Sequence, residues 1–193
     1  MSRIPMLRTN QSFLSHLEKL YHKQSVKNII LETFSKGQEL LIQDHSVSKV
    51  MLIKDGITKC YFEEENGKEY IVEFLGSGEI LGEVELIKNI PCLCSIEALT
   101  EVTVYTISLS YFNELIRKDL TLNNLLLNSF AERIINTSSR ASYQQLYTVE
   151  HTLTQLLKMQ SKQNIKISKE DMAAYLGITV RSLNRILKYL NLK

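Results

Sequence analysis

The sequence predicts an α+β chain with three successive parts: an N-terminal antiparallel β-roll, a long helix, and a C-terminal pair of short helices. Three observations predict it. Short apolar runs alternate with Gly-containing turns up to residue 108, no Gly or Pro occurs from 109 to 176, and residues 168–190 (SKEDMAAYLGITVRSLNRILKYL) carry helix caps around a central Gly. Many short, evenly punctuated strands indicate an antiparallel roll or barrel, whereas a long stretch free of breakers indicates helix. The domain limits that follow are 1–108 for the roll with its N-terminal helix, 109–147 for the long helix, and 148–193 for the helix pair.

The chain starts helical, with Phe13, Leu14, Leu17 and Leu20 on one face, and the period changes from Thr33. Turn signals then recur at Lys36-Gly37, Asp55-Gly56, Asn66-Gly67 and Gly76-Ser77-Gly78. Asp-Gly and Asn-Gly suit type I′ hairpins, because both central residues of that turn need positive φ. Residues 50–53, 57–62, 70–75, 95–99 and 102–107 read as strands. The only prolines, Pro5 and Pro91, interrupt none of them.

In the long helix Leu127, Phe130, Ile134, Thr137 and Ala141 step by three and four, a short coiled-coil seam. The spacing favours a homodimer, although a helix packed only on its own roll fits it too. Thr148 is the expected N-cap of a new helix over 149–159. Ser168 then caps the first helix of the C-terminal pair, with Asp171 three residues on to return the bond. Met172, Ala173, Leu176 and Ile178 form its expected buried side. After the turn at Gly177, Thr179 caps a second helix in which Leu183, Ile186, Leu187 and Leu190 repeat at helical spacing. Val180, Arg181, Asn184, Arg185 and Lys188 are left facing outward. Arg, Asn and Lys on a narrow helix can read base edges in a major groove or hold phosphates. The same pattern also fits a plain helical hairpin with a solvated basic face.

Charge separates these parts. Residues 162–193 hold seven Lys or Arg and two acids, a net +5 in a chain of +2, so the remainder carries −3. A basic tip on a mildly acidic body suits a nucleic-acid-reading module with a different task upstream. The apolar fraction of 44% is that of a globular core rather than a disordered tail. No apolar run approaches the roughly 18 residues of a membrane span, and the first residues lack the pattern of a secretory signal. The expectation is a cytoplasmic protein with no membrane partner. Three cysteines, Cys60, Cys92 and Cys94, without such a signal argue against a disulfide framework. Cys92 and Cys94, two apart, would share one face of a strand as small buried residues, with a redox role left open. The local sequence lacks the four ligands of a closed zinc site. His16, His22, His45 and His151 are scattered, no nucleophile–base arrangement is visible, and the Gly76–Gly78 turn does not precede a helix. An enzyme is therefore not expected, nor a bound cofactor or metal.

A β-roll, a long helix and a helix-turn-helix, in that order and length, resemble the bacterial CRP/FNR family of transcription regulators. The resemblance rests on Lys36-Gly37 with Asp55-Gly56, on Gly78-Glu79-Ile80-Leu81-Gly82-Glu83, and on Leu176-Gly177-Ile178-Thr179 followed by Ser182-Leu183-Asn184-Arg185-Ile186-Leu187-Lys188. It implies a jelly roll of the cyclic-nucleotide-binding kind, a helical dimer and a homodimer on double-stranded DNA. It also implies an effector pocket around Gly82, Glu83, Cys92, Leu93, Thr137 and Ser138. In members that bind cyclic AMP, Glu takes the ribose hydroxyl and an Arg-Ser pair about ten residues later holds the phosphate. Here Glu83 is present, but Cys92-Leu93 stand at the Arg-Ser positions and leave no cation. An unpaired phosphate there would cost on the order of several kcal/mol, so control by cyclic AMP is not expected. Any effector is a small molecule of unknown identity. Iron–sulfur members carry cysteines near the N-terminus; none precedes Cys60 here.

The recognition helix also departs from the family, which often shows Arg-Glu after the capping residue and an Arg four positions on. Val180-Arg181 and then Arg185 imply a different operator. Arg181, Asn184 and Arg185 are the expected base contacts, with Ser168, Lys169, Thr179, Val180 and Lys188 also at the interface. The family adds a β-hairpin wing after this helix, and the sequence stops at Lys193, so the helix-turn-helix is either natively wingless or truncated. Weak, steeply salt-dependent binding is the expectation for a wingless helix-turn-helix. RNA polymerase is a candidate partner. The competing reading is a ligand-sensing roll whose C-terminal helices bind a protein rather than DNA.

Overall fold

The structure is a computed structural model that describes residues 5–24 and 27–191. Two sheets face each other as a roll. One has the order β1-β6-β5-β8-β3 and the other β2-β9-β4-β7. The strands are β1 (Leu7–Arg8), β2 (Ile29–Phe34), β3 (Glu39–Leu41), β4 (Lys49–Asp55), β5 (Thr58–Glu63), β6 (Glu69–Leu75), β7 (Ile80–Leu81), β8 (Ser95–Ala98) and β9 (Val102–Ser108). Pairing is antiparallel throughout except for the short β1, which runs parallel to β6. The helices are α1 (Gln11–Lys23), α2 (Glu83–Lys88), α3 (Leu109–Lys118), α4 (Leu120–Leu146), α5 (Val149–Gln163), α6 (Lys169–Leu176) and α7 (Val180–Asn191).

Three apolar clusters hold these layers. Between the sheets lie Leu40, Leu41, Met51, Ile53, Cys60, Leu75, Cys92 and Val104. Phe13, Leu14 and Leu17 of α1 join Val50, Leu52 and Tyr105 with Phe112, Leu122 and Leu126, closing α1, α3 and α4 onto the second sheet. The third cluster joins Tyr61, Ile71 and Phe74 of the first sheet to Leu153, Leu156, Met172, Tyr175 and Leu183 of the C-terminal helices. Burying one such side chain stabilises by about 1.5–3 kcal/mol.

Several elements differ from the sequence reading. The expected N-terminal helix is confined to α1, capped by Asn10, whose side chain accepts from Phe13 N at 3.0 Å; residues 1–4 lie outside the described residues. Extended structure resumes at Ile29 rather than Thr33, because β2 pairs along its whole length with β9. Asp55-Gly56 is not a hairpin. β4 and β5 belong to different sheets, and the dipeptide turns the corner between them. Gly56 sits at φ +95, and a Cβ there would lie 2.3 Å from Glu101 O, so close backbone approach selects the glycine. Asn66-Gly67 does link the antiparallel β5 and β6, but only Gly67 has positive φ, so the turn is not type I′. Cys92 and Cys94 precede β8 instead of sharing a strand.

The long helix expected over 109–147 is two helices. Asp119 is extended (φ −102, ψ 95), and its carboxylate accepts from Leu122 N at 3.0 Å while meeting His16 Nε2 at 2.8 Å. A side chain that caps a new helix and pairs with α1 outweighs continuation of α3. α4 ends at Tyr147, and Thr148 caps α5 by accepting from His151 N. Tyr143, Tyr147 and His151 stack across that junction, with centroids 3.9 and 4.9 Å apart.

Candidate nucleic-acid interface and effector groove

The C-terminal helices are built on caps. Ser168 Oγ accepts from Asp171 N at 2.9 Å and donates to Asp171 Oδ2 at 2.7 Å, so the cap of α6 forms, but the Asp171 carboxylate returns the bond to the hydroxyl and not to the Ser168 backbone N–H as a capping box would. Gly177, in the left-handed region at φ +67, ends α6. Thr179 Oγ1 accepts from Ser182 N at 3.2 Å and starts α7. Leu183 is fully buried, and Ile186, Leu187 and Leu190 pack beside it.

That burial leaves Arg181, Asn184, Arg185 and Lys188 exposed on one side of α7, with Ser168, Lys169 and Thr179 exposed nearby. Arg181, Arg185 and Lys188 make no ion pair among the described residues. Lys169 Nζ donates to Asn184 Oδ1 at 2.8 Å, joining the first turn of α6 to the face of α7. Val180 is the exception. Expected outward, it is half-buried on the third apolar cluster, because it lies one turn before Leu183.

Sequence reasoning missed how firmly this unit sits on the roll. The Tyr175 ring stacks on Phe74 of β6 at 5.0 Å, so Tyr175 joins Met172 and Ala173 on the buried side of α6, where Leu176 and Ile178 are only half-buried. Lys59 of β5 reaches Asp171 at 2.7 Å, Glu97 at 3.2 Å and Glu69 at 3.6 Å. Burial works against the ammonium, but these carboxylates hold its pKa above the ordinary lysine range. Arg140 of α4 donates to Ile71 O and Tyr175 O at 2.9 and 3.1 Å and covers the Tyr175 ring at 4.2 Å. A Lys on a strand and an Arg on a helix ordinarily read as solvated, so nothing local marked either one.

The expected effector pocket is only partly assembled. Gly82 precedes α2, and Glu83 at its start is fully buried, its Oε1 2.6 Å from Arg133 Nη1 of α4. Burial pushes the Glu83 carboxyl up, with Arg133 opposing. Arg133 in turn is held above its ordinary range by Glu83, Glu73 and Glu79 against the desolvation of its own site. Its Nη2 also donates to Ile80 O, while its buried Nε finds no partner among the described residues. A cation is therefore present, contrary to the sequence reading, but it comes from the long helix and is committed to Glu83. Thr137 and Ser138 line an open groove of about 470 Å³ with Phe130, Arg133 and Ile134 of α4 and Val84, Ile87 and Lys88 of α2. Cys92 and Leu93 do not reach it. Cys92 packs between the sheets, its N–H donating to His45 O, and Leu93 is exposed with its N–H on Glu85 Oε1. Beneath lies a second ionic centre, where buried Arg8 meets Glu73 at 2.8 Å and Glu79 at 2.7 Å.

The expected seam of α4 is outward. Leu127 and Ile134 are 64% and 66% exposed, Thr137 and Ala141 are exposed, and Phe130 is half-buried. Among the described residues no His, Cys, Asp or Glu group could hold a metal ion, and no helix is long and apolar enough to cross a membrane.

Residues 31–119 match the cyclic nucleotide-binding domain family. The probable transcriptional regulator flp of Lacticaseibacillus casei is 26% identical over 97% of this chain and 84% of its own length. The cAMP-activated global transcriptional regulator CRP of Pasteurella multocida is 28% identical over 94% and 87%. Among solved structures, the c-di-GMP responsive regulator CLP of Xanthomonas campestris shares the fold with a TM-score of 0.77 at 17% identity, over 92% of this chain and 91% of that one. A crp/fnr family regulator from Eubacterium rectale does so at 0.76 and 18%, over 95% and 84%. Likeness to transcription regulators thus runs from the roll through the long helix to the helix-turn-helix, and the chain is similar along nearly its whole length to regulators of the CRP/FNR kind.

Proposed function

We propose that the chain is a homodimeric, sequence-specific DNA-binding regulator that works without cyclic AMP. The observation that carries this reading is the outward face of α7, where Arg181, Arg185 and Lys188 are exposed and, among the described residues, pair with no carboxylate. Arg181, Asn184 and Arg185 contact base edges, while Ser168, Lys169, Thr179 and Lys188 meet phosphates with the help of the helix N-termini. Residues 148–193 are the DNA-reading unit, 109–147 the dimerising segment and 1–108 the sensing roll. The exposed seam from Leu127 to Ala141 pairs two copies, so that their α7 helices enter successive major grooves about 34 Å apart. A small-molecule effector in the groove between α2 and α4 would shift how the α4 helices pair.

Independence of cyclic AMP is supported by three positions. Glu83 is already neutralised by Arg133, Cys92 is buried among apolar side chains, and Leu93 points into solvent. The test is fluorescence anisotropy on promoter fragments at several salt concentrations, with and without cyclic AMP. The expected result is binding that falls steeply with salt and ignores the nucleotide. Arg185→Ala should lower discrimination between sites by about 1–3 kcal/mol, and Lys169→Ala should weaken binding evenly across sequences. Binding that requires cyclic AMP would overturn the effector reading. Binding to a protein such as RNA polymerase, with none to DNA at any salt, would overturn the DNA reading.

A further inference from the structure

We propose that Cys60 and Cys94 form a reversible dithiol–disulfide site, oxidised by hydroperoxides, in which Cys94 meets the oxidant and Cys60 resolves it. The two Sγ atoms lie 2.7 Å apart, although 34 residues separate them in sequence. β5 and β8 run antiparallel with Cys60 opposite Ile96 and Tyr61 opposite Ser95. Cys94, one residue before β8, is therefore diagonal to Cys60 on the same inward face. A disulfide needs an S–S distance of about 2.05 Å, so the two sulfur atoms already stand within about 1 Å of bonding distance.

Access divides the roles. Cys94 is partly exposed, whereas Cys60 and Cys92 are buried. The bond to Cys94, then burial and the Glu73 carboxylate, push the Cys60 thiol up, with Arg133 opposing. Cys60 therefore keeps its proton until it is used. In the first step the Cys94 thiolate attacks a peroxide oxygen. The O–O bond breaks, the leaving oxygen takes a proton as water or alcohol, and Cys94 becomes a sulfenic acid. In the second, Cys60 sulfur attacks Cys94 sulfur, the S–O bond breaks, and hydroxide leaves as water with the Cys60 proton. Two thiols lose two electrons and one hydroperoxide is reduced.

Sequence proximity would pair Cys92 with Cys94, but Cys92 is held between the sheets, its backbone bonded to Asp44 and His45. The position of the proposed bond matters because Lys59 and Tyr61 flank Cys60 and serve the opposite face. Lys59 holds Asp171 of α6, and Tyr61 belongs to the cluster that packs the C-terminal helices. The bond would tie β5 to β8 beside β6, the strand on which α6 packs through Tyr175 and Phe74, while Lys59 of β5 reaches Asp171.

The test is to treat the reduced full chain with hydrogen peroxide, count thiols after denaturation, and map peptides. Three free thiols should fall to one, with a Cys60–Cys94 cross-link that dithiothreitol reverses. Cys92→Ser should still lose two thiols, and Cys94→Ser should keep both of its own. Cys60→Ser should leave a Cys94 sulfenic acid trapped by dimedone. If that buried substitution prevents folding, the Cys92 and Cys94 variants decide alone. Three thiols surviving peroxide, a Cys92–Cys94 bond, or a bond between chains would overturn the proposal. The thiol count does not depend on DNA binding, so it stands apart from the regulator reading.

Discussion

The two sides of α4 invert the usual pattern of a helix on a globular domain. The side against the roll starts apolar, with Leu122 and Leu126 buried, but continues through Ser129 to Arg133 and Arg140, whose guanidiniums point inward to a carboxylate and to backbone carbonyls. The outward side carries Leu127 and Ile134, both more than three-fifths exposed. A lone domain would place those side chains the other way round, since exposed apolar stripes mark interaction surfaces. The inner side thus fixes where α4 lies, and the outer side is left for a second apolar surface.

The largest expected effect comes from breaking the inner side. Arg133→Ala leaves Glu83 fully buried without its partner, and removing one member of a buried pair costs about 3–5 kcal/mol. Urea melts of the variant should show that loss. Adding Glu83→Gln should recover a large part of it, because the stranded charge goes with it. An equal loss in the single and double variants would mean that packing of the Arg133 stem, and not the ion pair, holds α4 to the roll.

The two sides were also unequally legible in the sequence. The outward placement of Leu127 and Ile134 followed from spacing alone, as did the Ser168 cap and the Gly177 turn from their residue types, because each is a local pattern with a local cause. The inner ion pairs join residues far apart in the chain, such as Arg133 to Glu83, Lys59 to Asp171 and Arg8 to Glu79, and an isolated charged residue carries no mark of its partner. The break at Asp119 was missed for a related reason. Capping Asp residues are common, and this one also meets His16, which lies far off in the sequence. Corners fared worse than strands. Asp55-Gly56 has hairpin chemistry, yet its glycine is selected by the backbone of Glu101 pressing against it.

Next in size is the outer side. Leu127→Glu with Ile134→Glu places two like charges on the proposed seam of each copy. The few central side chains that dominate an interface cost about 2 kcal/mol or more when lost, so sedimentation should show a dimer converted to monomer while the melting of the monomer fold is nearly unchanged. A double variant that stays dimeric would move the interface off this face and leave the two exposed side chains unexplained.

Acidity probes the ionic ground beneath the inner side. Burial pushes the Glu79 carboxyl up to about 7, and Arg8 and Arg133 oppose this without cancelling it. Its folded value therefore lies above its ordinary 4.5. The stability it contributes is fully present below the unfolded value and is lost as pH rises through 7. Between pH 5 and 8 the native melting temperature should fall by on the order of 5 °C through this group, and Glu79→Gln should flatten that slope. Parallel slopes would mean that Glu79 stays ionised across the range.

The smallest effect sits where α4 begins, at the residue that sets the phase of both sides. Asp119 caps the helix and pairs with His16; burial raises its carboxyl, but the Leu122 N–H and then His16 outweigh that and hold it below the ordinary value. With the folded value depressed, this stabilisation is present at neutral pH and disappears as pH falls through the folded value. Asp119→Ala should cost about 1 kcal/mol, and the difference from the parent should shrink in strong acid. Asp119→Asn keeps a capping oxygen but no charge, so it separates the two contributions. If Asn matches Asp at pH 7, the cap alone starts α4. If Asn matches Ala, the pairing with α1 sets where the helix begins and hence which residues face outward.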